Sequence, residues 1–319
     1  MMFMNYKQFG HSSLTHENID KVYKFCEDNV RHISHSLETF KATTIDSHLF
    51  DPSLSVVLTE ENGEIIAFFM VVLRKSLILK RFRKVAVLKF FVVQKNRRNR
   101  GIGTYLINLL TEKIESSDNK NFRMKFEVMS SAPDYWYPGL DPRFTEAFFF
   151  LKKHGFKKGT ERINLCIHLR KIPPERPPST YKGYRVKRAE RGDEEELVTL
   201  SFMPKLYQLS FWPDEITLSF QKSPIPTFIA IDSSSEKIIG WASHSIQFPG
   251  SFGPTGVKKS ERGQGLGKLL LKWCLWDLKT NFDVDQMIIN WVQEDTAYFY
   301  SKSIGAYICG LYWTMKKRF

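Results

Sequence analysis

Two short glycine-bearing runs have the residue types and spacing to hold a phosphate-rich ligand. They are Arg98-Asn99-Arg100-Gly101-Ile102-Gly103 and Arg262-Gly263-Gln264-Gly265-Leu266-Gly267, both of the form R-x-x-G-x-G. Each follows an apolar stretch ending in valine, Val93 or Val257, with the same spacing to the arginine. Each leads into a leucine-rich helical pattern, Tyr105 to Ile114 and Lys268 to Leu278. The chemistry of such a turn is anion binding. First-turn amides have no intrahelical acceptor, and the helix dipole is positive there. Glycine allows close approach and a positive φ. Together these build a receptor for a diphosphate, with Arg98, Arg100, Arg262 and Lys268 adding charge. Neither run is a dinucleotide fingerprint G-x-G-x-x-G or a P-loop.

Other chemistry-bearing residues are sparser. The eight histidines show no ligand spacing with carboxylates, so no metal is expected. Cys26, Cys166, Cys274 and Cys309 lie far apart without a C-x-x-C pair and read as reduced, mostly core thiols. Glu127, Glu294 and Asp295 are candidate bases, each reading more readily as a solvated surface carboxylate, and none is assigned that role. The aromatic segment Pro133 to Phe144 either lines an acceptor pocket or packs as an ordered loop.

The elements that must position the two runs can be read on either side of them. Helical periodicity covers Thr15 to Val30, with Thr15 as N-cap. Leu54 to Thr59 and Glu64 to Leu73 form a hairpin about Asn62-Gly63. Lys84 to Val93 is a strand, Phe122 to Met129 a strand, Phe144 to His154 a helix and Arg162 to Leu169 a strand. The second half repeats the order: strand Tyr184 to Ala189, helix Asp193 to Phe202, hairpin strands Thr227 to Ile231 and Lys237 to Ser243, and a shorter strand ending at Val257. Strand Gln286 to Val292, a helix about Ala297 to Ser303 and strand Tyr307 to Met315 close it. Repetition at half the chain is a duplicated domain. Lys171 to Gly183, with four prolines, reads as an extended linker. The expected domains are 1–170 and 184–319, each α+β (mixed α/β) with a mixed central sheet flanked by helices.

The 319 residues, 42% hydrophobic and 25% charged, suit two globular domains. The apolar run Ile65 to Leu73 is too short to span a bilayer, and the N-terminus lacks a signal-peptide pattern. A cytoplasmic protein without membrane contact is expected. The net charge of +13 draws anions, and a polyanionic cofactor suffices to explain it.

R-x-x-G-x-G after a strand ending in valine resembles the acetyl-CoA signature of the GNAT N-acetyltransferase superfamily. The resemblance extends to the closing helices, Ala297-Tyr298-Phe299-Tyr300-Ser301-Lys302-Ser303-Ile304-Gly305 and Ala147-Phe148-Phe149-Phe150-Leu151-Lys152-Lys153-His154-Gly155. The tandem order resembles two-domain members with a mycothiol-synthase-like arrangement. The resemblance implies an amine attacking the acetyl thioester of acetyl-CoA bound in a splay between two central strands. It implies that Val92, Val93, Gly256 and Val257 hold the pantetheine through strand amides. It places the pyrophosphate on Arg98, Asn99, Arg100, Gly101, Ile102, Gly103 and Thr104, and on Arg262, Gly263, Gln264, Gly265, Leu266, Gly267 and Lys268. A tyrosine often protonates the departing CoA thiolate; Tyr300 matches it, and the first half has Leu151 there. The expectation is an N-acetyltransferase, monomer or homodimer, with its main catalytic centre in the second half. Its acceptor is a small-molecule or peptide amine. The alternative is a non-catalytic acyl-CoA-binding regulatory protein. A nucleic-acid-associated role rests on charge alone and ranks last.

Overall fold

A computed structural model describes residues 6–31, 35–78, 81–117, 125–172, 175–201 and 211–318. Residues 122–124 of the expected strand, 173–174 of the linker, residue 202 of the expected helix and His32 lie outside these. In chain order the first elements are β1 (Gly10–Ser12), α1 (Ile19–Asn29), α2 (Leu37–Thr43), β2 (Ser55–Thr59), β3 (Ile65–Ile78), β4 (Arg81–Val93), α3 (Ile102–Ser117), β5 (Lys125–Val128), α4 (Thr145–Lys153) and β6 (Lys157–His168). There follow β7 (Thr180–Tyr181), β8 (Tyr184–Arg188), α5 (Glu194–Ser201), α6 (Trp212–Phe220), β9 (Thr227–Asp232) and β10 (Ile238–His244). The last are β11 (Ser251–Val257), α7 (Leu266–Asn281), β12 (Gln286–Val292), α8 (Glu294–Ile304) and β13 (Tyr307–Arg318). None of the described helices is long and apolar enough to cross a membrane.

The chain forms two compact units that are not contiguous in sequence. Unit 1 is 1–160 with 312–319, and unit 2 is 161–311. Unit 1 orders its strands β1-β2-β3-β4-β5-β13, and unit 2 orders them β6-β12-β11-β10-β9-β8-β7. In each unit one neighbouring pair is parallel, β4/β5 and β11/β12, within an otherwise antiparallel ladder. Both units are therefore mixed sheets flanked by helices, the expected fold class.

The sheet of unit 1 is buried on both faces, which explains the apolar run of β3. Ala67, Phe69 and Val71 pack with α3 and α4, while Phe68, Met70 and Val72 pack with α1 and α2. In unit 2, α7 and α8 cover one face, and α5 and α6 cover the other. α1 starts later than its periodicity suggested. Thr15 and Asn18 instead cap each other: Thr15 N–H donates to Asn18 Oδ1 at 2.8 Å, and Asn18 N–H to Thr15 Oγ1 at 3.3 Å.

Each unit closes its sheet with a strand from the far end of the sequence. Lys316, Lys317 and Arg318 of β13 pair with Glu127, Phe126 and Lys125 of β5. Residues Ile163 to His168 of β6 pair with β12. Leu140 and Trp313 exchange backbone hydrogen bonds of 2.9 and 2.8 Å, so the segment after β5 is zipped to β13. Gly139 is required there, since a Cβ would lie 2.6 Å from the Trp313 carbonyl oxygen. The exchange also corrects the expectation of four reduced cysteines: within unit 2, Cys166 of β6 and Cys309 of β13 form a disulfide. Cys26 and Cys274 are buried thiols whose pKa burial raises. The proline segment is held along α7. Arg176 lies over the rings of Trp273 and Trp276, and Trp273 Nε1–H donates to the Pro178 carbonyl at 3.2 Å.

Two buried polar groups dominate the electrostatics. In unit 2, His244 donates from Nε2 to Asp277 Oδ2 at 2.8 Å, and its Nδ1 then accepts from Ser245 Oγ at 3.1 Å. Asp277 also accepts from Arg188 and from Asn281. Burial opposes ionisation of Asp277, yet bonds from His244, Arg188 and Asn281 hold its pKa below the usual range. Burial lowers His244, more than Asp277 raises it. In unit 1, Lys89 is fully buried and donates from Nζ to the Asp134 carbonyl at 2.5 Å. Burial pulls its ammonium down to about 8, with Asp134 opposing.

Two predictions follow from these groups. The unfolded chain protonates His244 near its ordinary value of about 6.5 while the folded ring stays neutral, so stability falls as pH drops below that value. Asp277 adds a further loss as pH falls through its depressed pKa. His244→Gln is expected to cost about 2–4 kcal/mol at neutral pH and to flatten the pH 7 to 5 slope in urea unfolding. Lys89 has the opposite consequence: the unfolded lysine holds its proton to about pH 10.4, so stability rises with pH above about 8. Lys89→Met is expected to remove that rise and to add ~1–2 kcal/mol at pH 7.

Candidate cofactor slots

In both units the strand before the glycine run parts from its parallel neighbour at a bulge. β4 pairs with β5 from Val85↔Lys125 to Leu88↔Val128. On its other side the register shifts between Met70↔Phe90 and Val71↔Leu88, leaving Lys89 as the extra residue. β11 pairs with β12 at Ser251↔Ile288 and Phe252↔Ile289. Its register shifts between His244↔Phe252 and Ala242↔Thr255, so Gly253 and Pro254 face Ser243 alone. A bulge bends its strand and ends pairing. The stretches Phe90 to Val93 and Thr255 to Val257 thus continue past the last parallel pair, opening a slot between the central strands.

The two loops at the slot mouths share one backbone design. Arg98 Nε donates to the Val93 carbonyl at 3.1 Å, and Arg262 Nε to the Val257 carbonyl at 3.2 Å. Positive φ alternates in both: Asn99 59° and Gly101 84°, Gly263 81° and Gly265 89°. Asparagine tolerates this region and glycine suits it. The first helical bonds are Tyr105 N–H to the Gly101 carbonyl, 2.9 Å, and Leu269 N–H to the Gly265 carbonyl, 3.0 Å. Gly101 and Gly265 are therefore N-caps, and the amides of Ile102, Gly103 and Thr104, and of Leu266, Gly267 and Lys268, form the first turns. Ile102 and Leu266 are buried and pin each turn to its core.

The Arg98 side chain is engaged within unit 1. Arg98 also donates to the Asn29 carbonyl at 2.8 Å and pairs with Glu146 at 3.1 Å. It builds the turn rather than reaching outward. Arg100 and Lys268 are exposed. The side chains of Val92 and Val93 join opposite faces of the unit 1 core, and Val257 joins that of unit 2. Gly256 lies opposite Trp241.

The closing helices differ between units. α4 follows N-cap Phe144 and α8 follows N-cap Gln293; counted from these caps, Leu151 and Tyr300 are equivalent. Each is the buried residue of its helix. Phe150 comes within 3.1 Å of a Cβ placed on Gly103, and Phe299 within 3.7 Å of one on Gly267. Tyr300 packs edge-on to Phe252, ring centres 5.9 Å apart. Phe252 is the last residue of β11 paired with β12, so the Tyr300 ring stands beside the slot's vertex.

The candidate carboxylates have other employment. Glu127 accepts from Arg74 at 2.8 Å and from Ser130 at 3.3 Å. Glu294 and Asp295 are exposed in the first turn of α8, where the dipole favours them. The Pro133 to Phe144 segment is an ordered part of unit 1: Trp136 is buried against Phe40 and Phe90. Ser47 Oγ donates to Asp134 Oδ2 at 2.5 Å. No metal-ligating cluster occurs among the described residues. Sequence reasoning passed over Lys89, though a lone cation in an apolar strand was a visible signal. It also passed over Glu215 and Gln247, whose buried pairing depends on the β10–β11 turn.

Comparison with known proteins agrees with this geometry. The family model for the acetyltransferase (GNAT) family matches residues 18–131. No curated protein sequence matches the chain. A GCN5-related N-acetyltransferase from Sphaerobacter thermophilus has the same fold, at 15% identity and TM-score 0.72, covering 98% of this chain and 96% of that one. A tandem GNAT protein from the clavulanic acid biosynthesis pathway superposes with TM-score 0.65 at 16% identity, covering 97% and 98%. A glucosamine N-acetyltransferase region of a fungal multi-domain GH3 β-N-acetylglucosaminidase gives TM-score 0.74 at 17% identity; 97% of this chain spans 38% of that one. The family match thus falls on residues 18–131, and the chain as a whole shares the fold of these solved acetyltransferase structures, a tandem GNAT protein among them.

Proposed function

We propose that the protein is an acetyl-CoA-dependent N-acetyltransferase acting on a primary amine, with its main catalytic centre in unit 2. The repeated loop carries this reading: two bulged strands end in the same alternation of positive φ and the same N-cap glycine. Successive amides in such a turn form an anion receptor. Acetyl-CoA fits it chemically. Its pyrophosphate meets the first-turn amides of Ile102 to Thr104 or Leu266 to Lys268. Its pantetheine runs along Phe90 to Val93 or Thr255 to Val257, where the parallel ladder has stopped. In sequence, modules 1–170 and 184–319 are proposed as the duplicated domains, joined through 171–183.

The proposed difference between units lies at the slot's base. In unit 2 the Tyr300 phenol is proposed to protonate the departing thiolate, and Gly253 leaves room at the bulge. In unit 1 the corresponding residues are Leu151, which has no proton to give, and Lys89. Unit 1 is proposed to bind acyl-CoA without being the main centre.

Release of free CoA from acetyl-CoA in the presence of amines tests the activity. Amine-dependent release is expected; acetyl-CoA binding with no CoA release in the presence of any amine would favour the regulatory reading. Tyr300→Phe is expected to lower kcat roughly 10–100-fold with little change in acetyl-CoA affinity. Gly265→Glu, which sets a carboxylate in the loop, is expected to remove one equivalent of bound acetyl-CoA. A wild-type kcat in the first variant would remove Tyr300 from the mechanism, and unchanged stoichiometry in the second would remove the loop.

A further inference from the structure

We propose that unit 2 receives its acceptor at the α5/α6 face of the sheet, where Glu215 takes the amino group and Gln247 and Asn290 take hydroxyl groups of the same amine. The inference rests on the acyl-transfer reading of unit 2 and adds the acceptor's chemical class.

The subsite follows from the alternation of β12. Met287, Ile289 and Val292 join the α7/α8 core, which turns Ile288 and Asn290 to the opposite face. Asn290 directly follows Ile289, the last residue paired with β11, so it stands where the slot opens. The next residue, Trp291, stacks on Phe211 with ring centres 5.3 Å apart. Phe211 is the N-cap of α6, and its carbonyl accepts from Glu215 N–H at 3.1 Å. Glu215 is thus one helical turn from the mouth of the slot, and it is buried.

The polar atoms there are incompletely satisfied. Gln247, 8% exposed, donates from Nε2 to Glu215 Oε1 at 2.7 Å. Its own Oε1 and the Nδ2 of Asn290 are buried without a hydrogen-bond partner. Buried polar atoms are rarely left so, and an idle acceptor next to Glu215 and an idle donor on β12 both call for a ligand. Hydroxyl groups suit both, since a hydroxyl can donate to Gln247 Oε1 and a hydroxyl can accept from Asn290 Nδ2. An alkyl chain would leave both orphaned. The charge also selects the unit. A buried carboxylate attracts an ammonium, whereas unit 1 carries the Lys89 ammonium at its bulge, where unit 2 has Gly253.

The step balances in protons. The substrate ammonium gives one proton to Glu215. The freed nitrogen lone pair attacks the thioester carbonyl carbon, a C–N bond forms and the C–S bond breaks. The thiolate takes a proton from Tyr300, which regains the one shed by the new amide nitrogen. Glu215 returns its proton to solvent.

The full chain with acetyl-CoA and two probe amines, 3-aminopropane-1,2-diol and n-butylamine, tests this. The diol is expected to have a kcat/KM at least about tenfold higher. Gln247→Leu is expected to bring that ratio towards one, a change that a structural role would not produce. Glu215→Gln is expected to lower kcat for both amines roughly 100-fold at unchanged acetyl-CoA affinity, with partial recovery in Glu215→Asp. Equal kcat/KM for the two amines, or a wild-type ratio in Gln247→Leu, would overturn the hydroxyl subsite while leaving acyl transfer intact. A wild-type kcat in Glu215→Gln would overturn its role. If Glu215→Gln does not fold, the Gln247→Leu ratio still decides. No turnover of either amine would overturn the acyl-transfer reading and this inference together.

Discussion

An extra residue in one strand of a sheet cannot be paired on both sides, and each unit is organised around that constraint. Lys89 interrupts the ladder of β4 after Leu88, and Gly253 interrupts that of β11 after Phe252. The strand then runs on beside a neighbour it no longer pairs with. That divergence makes the slot, and the same strand's last valine carbonyl is the anchor on which Arg98 or Arg262 hangs the loop. The helix that follows takes its direction from the loop, and the buried face of that helix joins the core. Bulge, slot, turn and helix N-terminus are thus one continuous device, present twice.

The two units match in loop backbone geometry more strictly than in side chains. Asn99 occupies the positive-φ position that Gly263 holds, and the two arginines make the same bond to the strand end. The differences fall at the base of the slot, where Leu151 and Lys89 stand against Tyr300 and Gly253. A cation and a hydrocarbon on one side, a phenol and an open backbone on the other, suit different tasks. Buried charge differs in the same sense, with Lys89 in one unit and Glu215 in the other.

Much of this was legible in the sequence because it is local. Glycine spacing reports φ, and the Asn62-Gly63 turn, the leucine-rich helices and the alternating strands declared themselves through short-range pattern. What stayed hidden depends on two segments at once. A bulge is a property of two registers, so nothing in the strand Lys84 to Val93 alone marks Lys89 as the extra residue. β6 and β13 have the same alternation whichever unit they join, so the exchange of closing strands left no mark. The Cys166–Cys309 bond, which that exchange makes possible, could not be foreseen from cysteines so far apart. α6 carried start signals in Pro213, Asp214 and Glu215, yet the burial of Glu215 against Gln247 depends on the β10–β11 turn, far along the chain from α6.

If the backbone device is an acyl-CoA receptor, both copies of it should load. Equilibrium dialysis of the wild-type chain against radiolabelled acetyl-CoA tests this most directly. The account predicts saturation at two molecules per chain. Saturation at one would contradict the equivalence of the two loops, and no binding would contradict the account as a whole.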